Sequence, residues 1–398
     1  MSRTTLSTAL LGYAPVIDDE KIIVGFSLQA IASAGRDAPE LGRMYGELLP
    51  HLKPESPGIL LACGGGQFPE TIDQVEPDPR LWVELNATEV ATEMGEALLA
   101  RLAGKGFCVV MRGAPLKALP PALADAVKMS LVGNEASVDT DQPNQADSSR
   151  RLVPYSQGGV TRIDQMERSF ARGAVACVGW PWDDALERRG AGKAAPELST
   201  ISEMMTAINR GAEPPELEKI IKKDPSMAYR LLRYINSPGF GLPTQVDSFG
   251  HAIMLLGTNK LKRWLGLLLV NSNKDPNMRA IASASFRRAM LLEQLVALPK
   301  GDPMRDEIFM IGVFSLLDKL FQTPFEQLFE NLPVPESVYS TLVEKVGPHK
   351  PYLDVVEAIE RGPTSALDDK LDSALIAIEH CSAAVINTIT LPELSGAN

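Results

Sequence analysis

The spacing of apolar residues changes once along the chain, near residue 190, and that single change limits the folds open to it. Before it, short apolar runs alternate with helical stretches: KIIVGFSL from Lys21, GILLAC from Gly58, RLWVEL from Arg80, FCVVMR from Phe107, AVKMSLV from Ala126, RLVPYS from Arg151 and AVACVGW from Ala174. Each run has strand length and is bounded by Gly, Pro or charge. Between them stand helix-period segments such as ATEMGEALLARLAGKG, where Met94, Leu98, Leu99 and Leu102 share one face and Gly104 and Gly106 end the helix. Strands that alternate with helices pair in parallel, so this half predicts a closed (β/α) barrel, in preference to an open doubly wound sheet.

From Pro196 the strand signals stop and capped helices follow one another. Thr200 and Glu203 have capping-box spacing, and Asp224-Pro225, Asp302-Pro303 and Thr323-Pro324 each set a start signal before an apolar stripe. The predicted class is therefore α/β plus all-α: a barrel over 1–186, a linker at 187–198, and a helical domain with a C-terminal helical extension over 199–398. With 398 residues, the length agrees with a prior of roughly 150 residues per domain. The polar run from Asn134 to Arg151 reads as a loop inserted in the first half.

Composition narrows the functional classes. The chain carries 39 Lys and Arg against 50 Asp and Glu, a formal charge of −11, with no basic arm to draw nucleic acid or an anionic membrane. No secretory signal or run of about 18 apolar residues is visible, so the expectation is a cytoplasmic protein without a membrane span. Cys63, Cys108, Cys177 and Cys381 are scattered without a C-x-x-C, which predicts reduced thiols and neither a zinc knuckle nor a disulfide framework. The run CGGGQ at 63–67 lacks the Gly-Lys-Ser/Thr ending of a phosphate-binding loop and reads as a turn. His51, His251, His349 and His380 include no pair at helical metal-ligand spacing. No cofactor and no metal is expected.

The stretch LEKIIKKDPSMAYRLLRYINSPGFGLPTQVDSFGHAIMLLG, residues 217–257, resembles the HDOD domain, a helical bacterial signalling module related to the HD phosphohydrolases. Asp224, Pro225, Leu231, Leu232, Asn236, Ser237, Ala252, Ile253, Leu256 and Gly257 carry the likeness. Residues 309–361 look like the extension that accompanies an HDOD domain placed after an EAL domain. The first half is in turn similar to a degenerate EAL barrel, whose active members hydrolyse cyclic di-GMP with divalent metals. The resemblance places Ser27 and Ile31 where active members have Glu and Arg, keeps Glu84 and Lys128, puts Arg112 and Gly113 at an aspartate pair, Ser130 at another aspartate and Val178 at a glutamine. In GVFSLLD, Ser315 and Leu316 stand at the His-Asp pair of true HD hydrolases.

These replacements carry a chemical expectation. Hard divalent ions select several carboxylate oxygens, which Ser27, Arg112, Gly113 and Ser130 do not supply. A guanidinium at a former metal position adds repulsion of roughly 4 kcal/mol per unit charge at 4 Å with an effective dielectric constant of about 20. Lys128 and Glu84 are expected to pair in the unused barrel mouth. The resemblance thus implies a non-enzymatic signalling protein whose partners are other signalling proteins, in a cyclic di-GMP or two-component network governing motility, attachment or virulence. A non-hydrolysing cyclic di-GMP receptor is the alternative, and Ile31 in place of the phosphate-clamping Arg speaks against it.

Overall fold

The computed structural model describes all residues except 1–5, 7–8, 33–39, 64–71, 73–74, 116–118, 134–152, 189–195, 237–245, 247, 274, 297, 300–301, 303 and 393–398. The inserted run at 134–151, the glycines of CGGGQ and Ser237 of the HDOD text lie outside the described residues.

The first half is a closed eight-stranded barrel in the order β1-β2-β3-β4-β5-β6-β7-β8, as the alternating text predicts. The strands are β1 (Ala9–Asp18), β2 (Ile23–Ala32), β3 (Gly58–Cys63), β4 (Leu81–Asn86), β5 (Cys108–Arg112), β6 (Val127–Val132), β7 (Tyr155–Val160) and β8 (Ala176–Gly179). Strands β2 to β8 run parallel, while β1 is antiparallel to both β2 and β8. Side chains alternate across each strand, so the interior cluster of Val16, Leu60, Trp82, Val110, Met129, Leu131, Ala176 and Val178 fixes which residues face inward. Trp82 fills the lower interior, and it does so because two neighbouring inward positions are glycine: a Cβ on Gly58 would stand 2.3 Å from its ring and one on Gly25 3.0 Å. On the helix Glu93–Lys105, Leu98, Leu99 and Leu102 are buried as expected, with Thr92 accepting from Gly95 N at 3.1 Å and Gly106 closing the helix at φ +90°. Met94 departs from that stripe and is exposed.

Ala185–Lys350 forms a second compact unit, entirely helical among its described residues. The helix expected to start at Thr200 begins at Pro196, so Thr200 is an interior residue and not a cap. Asp224 caps the helix Pro225–Ile235 as predicted, accepting from Met227 N at 3.0 Å. Of the two leucines in its apolar stripe, Leu231 is fully buried and Leu232 only partly. Leu231→Ala is therefore expected to cost about 2–5 kcal/mol and Leu232→Ala clearly less, read as urea midpoints; equal shifts would contradict this register.

The chain returns to the first unit after the helical one. Residues 351–393 cluster with the barrel, whereas the sequence reading attached them to the helical domain. The reason lies in β1, whose pairing with β8 stops at Val16–Asp18. Its first half is left with edge carbonyls that need donors. The helix Ile378–Ile389 supplies one, Ser382 Oγ to Ala9 O at 2.9 Å, and lower on the barrel Ser56 Oγ donates to Thr390 O at 2.7 Å. The helical unit is thus an insertion between two segments of the barrel unit. No described helix is long and apolar enough to cross a membrane.

Candidate functional site

In a parallel barrel the carboxyl ends of the strands form the mouth where function resides. Glu84 on β4 and Arg112 at the end of β5 face inward there, because Trp82 and Val110 two residues earlier belong to the interior cluster. Arg112 donates from Nε to Glu84 Oε1 at 2.7 Å and from Nη2 to Oε2 at 3.1 Å. This is a two-point fork that takes up both carboxylate oxygens. The Glu84 side chain is 6% exposed and that of Arg112 50%. Burial raises the Glu84 carboxyl above its usual range, and the hydrogen bonds and charge of Arg112 pull it back.

The expected Lys128–Glu84 pair does not form. The β5–β6 register shifts between Val109 and Val110, which leaves Lys128 as the extra residue near the amino end of β6. Its Nζ lies 4.7 Å above the centre of the Trp82 ring, away from the mouth. Ser130 does not face the mouth either. It alternates with the inward Met129 and Leu131, so it points outward, buried, with Oγ 3.4 Å from Pro154 O.

Ser27 is inward, opposite Ala14 of β1 and level with Leu60 of β3, and it is buried. Ile31 lies further along the same face of β2, paired with Leu10. Val178 is part of the interior cluster. Gly113 follows β5 at φ +92° and donates to Leu131 O at 2.8 Å.

In the helical unit the positions that the sequence aligns with a His-Asp pair are Ser315 and Leu316. Ser315 Oγ donates to Gly312 O at 2.7 Å and accepts from Arg288 Nη1 at 3.1 Å, and Leu316 is buried. The helices Arg279–Val296 and Met304–Phe314 touch closely here, since a Cβ on Gly312 would stand 2.3 Å from Ala289 Cα. The sequence reading missed Arg288. Arg287 and Arg288 are both buried, although consecutive positions of a helix point about 100° apart and nothing in the sequence marks either as buried.

The HDOD text elsewhere serves the turn it encodes. Asn236 holds both backbone groups of Val246, donating from Nδ2 to its O and accepting from its N, each at 2.7 Å. Gly257 breaks the helix Phe249–Val270 at φ +73° and ψ 166°, a conformation that favours glycine.

At the mouth both Glu84 oxygens are engaged by a guanidinium, and at the second position a buried guanidinium stands beside a serine hydroxyl. Among the described residues no group of three His, Cys, Asp or Glu side chains is placed to hold a metal. Burial pushes the thiols of Cys177 and Cys381 up to about 12, which keeps them protonated and unreactive.

The HDOD domain family matches residues 197–330. The chain is similar to the cyclic di-GMP phosphodiesterase CdgJ of Vibrio cholerae, at 30% identity over 145 residues, 36% of this chain and 34% of that protein. It is also similar to the uncharacterized protein YuxH of Bacillus subtilis, at 31% over 172 residues, 40% of this chain and 41% of that one. The matched portion thus spans well under half the length of either relative.

Among solved structures, the EAL-like domain protein YdiV aligns with a TM-score of 0.31 at 13% identity, covering 44% of this chain and 94% of that one. The EAL-domain protein YkuI of Bacillus subtilis aligns with a TM-score of 0.30 at 12% identity, covering 63% and 73%. Residues 197–330 therefore carry an HDOD domain, preceded in the chain by a closed eight-stranded barrel.

Proposed function

We propose that the protein is a non-enzymatic bacterial signalling protein: an EAL-like barrel with a dismantled metal site and an HDOD domain, acting through contact with other signalling proteins. The name of CdgJ supports a cyclic di-GMP setting, and control of motility, attachment or virulence is the expected output. The observation that carries the reading is the Glu84–Arg112 fork. The one carboxylate kept from the catalytic text is spent on a permanent cation, and a dication brought to the same oxygens meets like charge in a partly dry site. A barrel that still packs its interior while its mouth carries an ion pair at the carboxylate keeps a shape for partners and loses the means to activate water.

A second reading is favoured by the half-exposure of Arg112, which leaves part of a guanidinium open to a phosphate. In that reading the protein binds cyclic di-GMP without hydrolysing it. Titration calorimetry of the full chain with cyclic di-GMP, with Mg²⁺ or Ca²⁺ present, separates the two. The adaptor reading predicts no heat of binding at micromolar ligand; a micromolar affinity abolished by Arg112→Ala would replace it with the receptor.

A further inference from the structure

The returning C-terminal segment reaches into the mouth itself. Gly12 lies two residues from Ala14, which packs on the interior cluster, so Gly12 is on the inward side of β1. It pairs with Gln29, and Gln29 with Ala62. Leu61 pairs with Val83, which brings the next residues, Ala62 and Glu84, level with each other. Gly12, Gln29 and Glu84 thus occupy one layer of the mouth.

Two glycines record what fills that layer on the β1–β2 side. A Cβ on Gly12 would stand 2.5 Å from Pro363 Cδ and 2.8 Å from Ile359 O. A Cβ on Gly362, which turns at φ +102°, would stand 3.2 Å from Gln29 Oε1. Gly362 N in turn donates to Ile359 O at 3.3 Å, closing the end of the helix Lys350–Arg361. The face opposite, with Glu84 and Arg112, stays open to solvent on the Arg112 side.

We propose that residues 359–363 are a strap seated in the barrel mouth, an internal contact that blocks its β1–β2 side and is tied through one helix to the exit of the helical unit. The helix Lys350–Arg361 has 12 residues. At 1.5 Å per residue it is a rod of about 18 Å, stiff enough that displacing its first turn moves its last. A partner that shifts the exit of the helical unit at Lys350 lifts the strap, and a ligand that must span the whole mouth has to displace it first. The two events favour each other by the same factor.

Hydrogen exchange followed by mass spectrometry on the full chain tests this. Gly12→Val places methyl groups where Pro363 sits, and peptides covering 356–367 are expected to exchange about tenfold faster while those covering β4 to β6 keep wild-type rates. Gly362→Ala attacks the same seat from the strap side and should accelerate the same peptides, which keeps the test informative if the first variant does not fold. Ser382→Ala, which removes the bond to Ala9, should leave 356–367 protected. Wild-type rates over 356–367 in the glycine variants would overturn the strap, as would equal acceleration across all barrel strands. If 356–367 loosens while peptides covering 344–353 keep wild-type rates, the tie to the helical unit is overturned.

Discussion

Replacing Arg112 by alanine is expected to cost about 3 kcal/mol at neutral pH, the lower end of what stripping a buried carboxylate of its partner costs, because Arg112 itself is half exposed. The loss depends on pH, and its sign follows from Glu84. In the folded wild type burial already raises this carboxyl, and without Arg112 nothing offsets the burial. An acid whose folded pKa lies above its unfolded one binds more protons when folded, so stability is highest below the unfolded pKa and falls as pH rises through the folded one. Urea unfolding of Arg112→Ala should therefore show a small deficit at pH 4 and a large one at pH 8. The double variant Glu84→Leu with Arg112→Met should recover most of the deficit, since an apolar pair of similar volume replaces both charges. An equal deficit at both pH values would mean that Arg112 acts by packing and not by neutralising Glu84.

Trp82→Ala should cost about 3–5 kcal/mol, the range for deleting a buried aromatic ring from a core. Trp82 is 4% exposed, and its ring occupies space that exists because Gly25 and Gly58 carry no side chain. The backbone around it is held by strand pairing on both sides, Leu60 of β3 and Cys108 of β5, so the void has little room to collapse. The coupling supplies a sharper check. Gly58→Ala should be strongly destabilising in the wild type, where its Cβ would overlap the indole, and close to neutral in the Trp82→Ala background. Additive losses in the double variant would contradict this account of the interior. Lys128 offers a further readout, since it loses the ring beneath its ammonium group.

Much of the architecture was legible because it rests on local chemistry. Six of the seven apolar runs of strand length fall on β2 to β6 and β8, while RLVPYS meets β7 only at Tyr155 and Ser156, and Asp224 before Pro225 marks a helix start that the structure keeps. What stayed hidden depends on distant parts of the chain. The antiparallel β1 is not among those runs, and nothing local in Ala9–Asp18 gives its direction. The C-terminal helices read like the helices before them, because an apolar stripe does not say which core it covers; their place follows from the open edge of β1 some 370 residues away.

The site was legible in residue type and not in pairing. Glu84 and Arg112 both stand out in the sequence, but the partner that the sequence suggests for Glu84 is Lys128. A one-residue register shift between β5 and β6 moves Lys128 to the other end of the barrel and turns Ser130 outward. Nothing in AVKMSLV announces that shift. Arg288 beside Ser315 was likewise invisible, since its role appears only when two helices meet at Gly312.

The central claim, that the mouth does not support metal-dependent hydrolysis, is tested most directly by incubating the full chain with cyclic di-GMP over a range of Mg²⁺ and Mn²⁺ concentrations and looking for the linear dinucleotide pGpG. The account predicts no product above the protein-free control at any metal concentration. Appearance of pGpG that requires the metal and disappears in Glu84→Gln would contradict it.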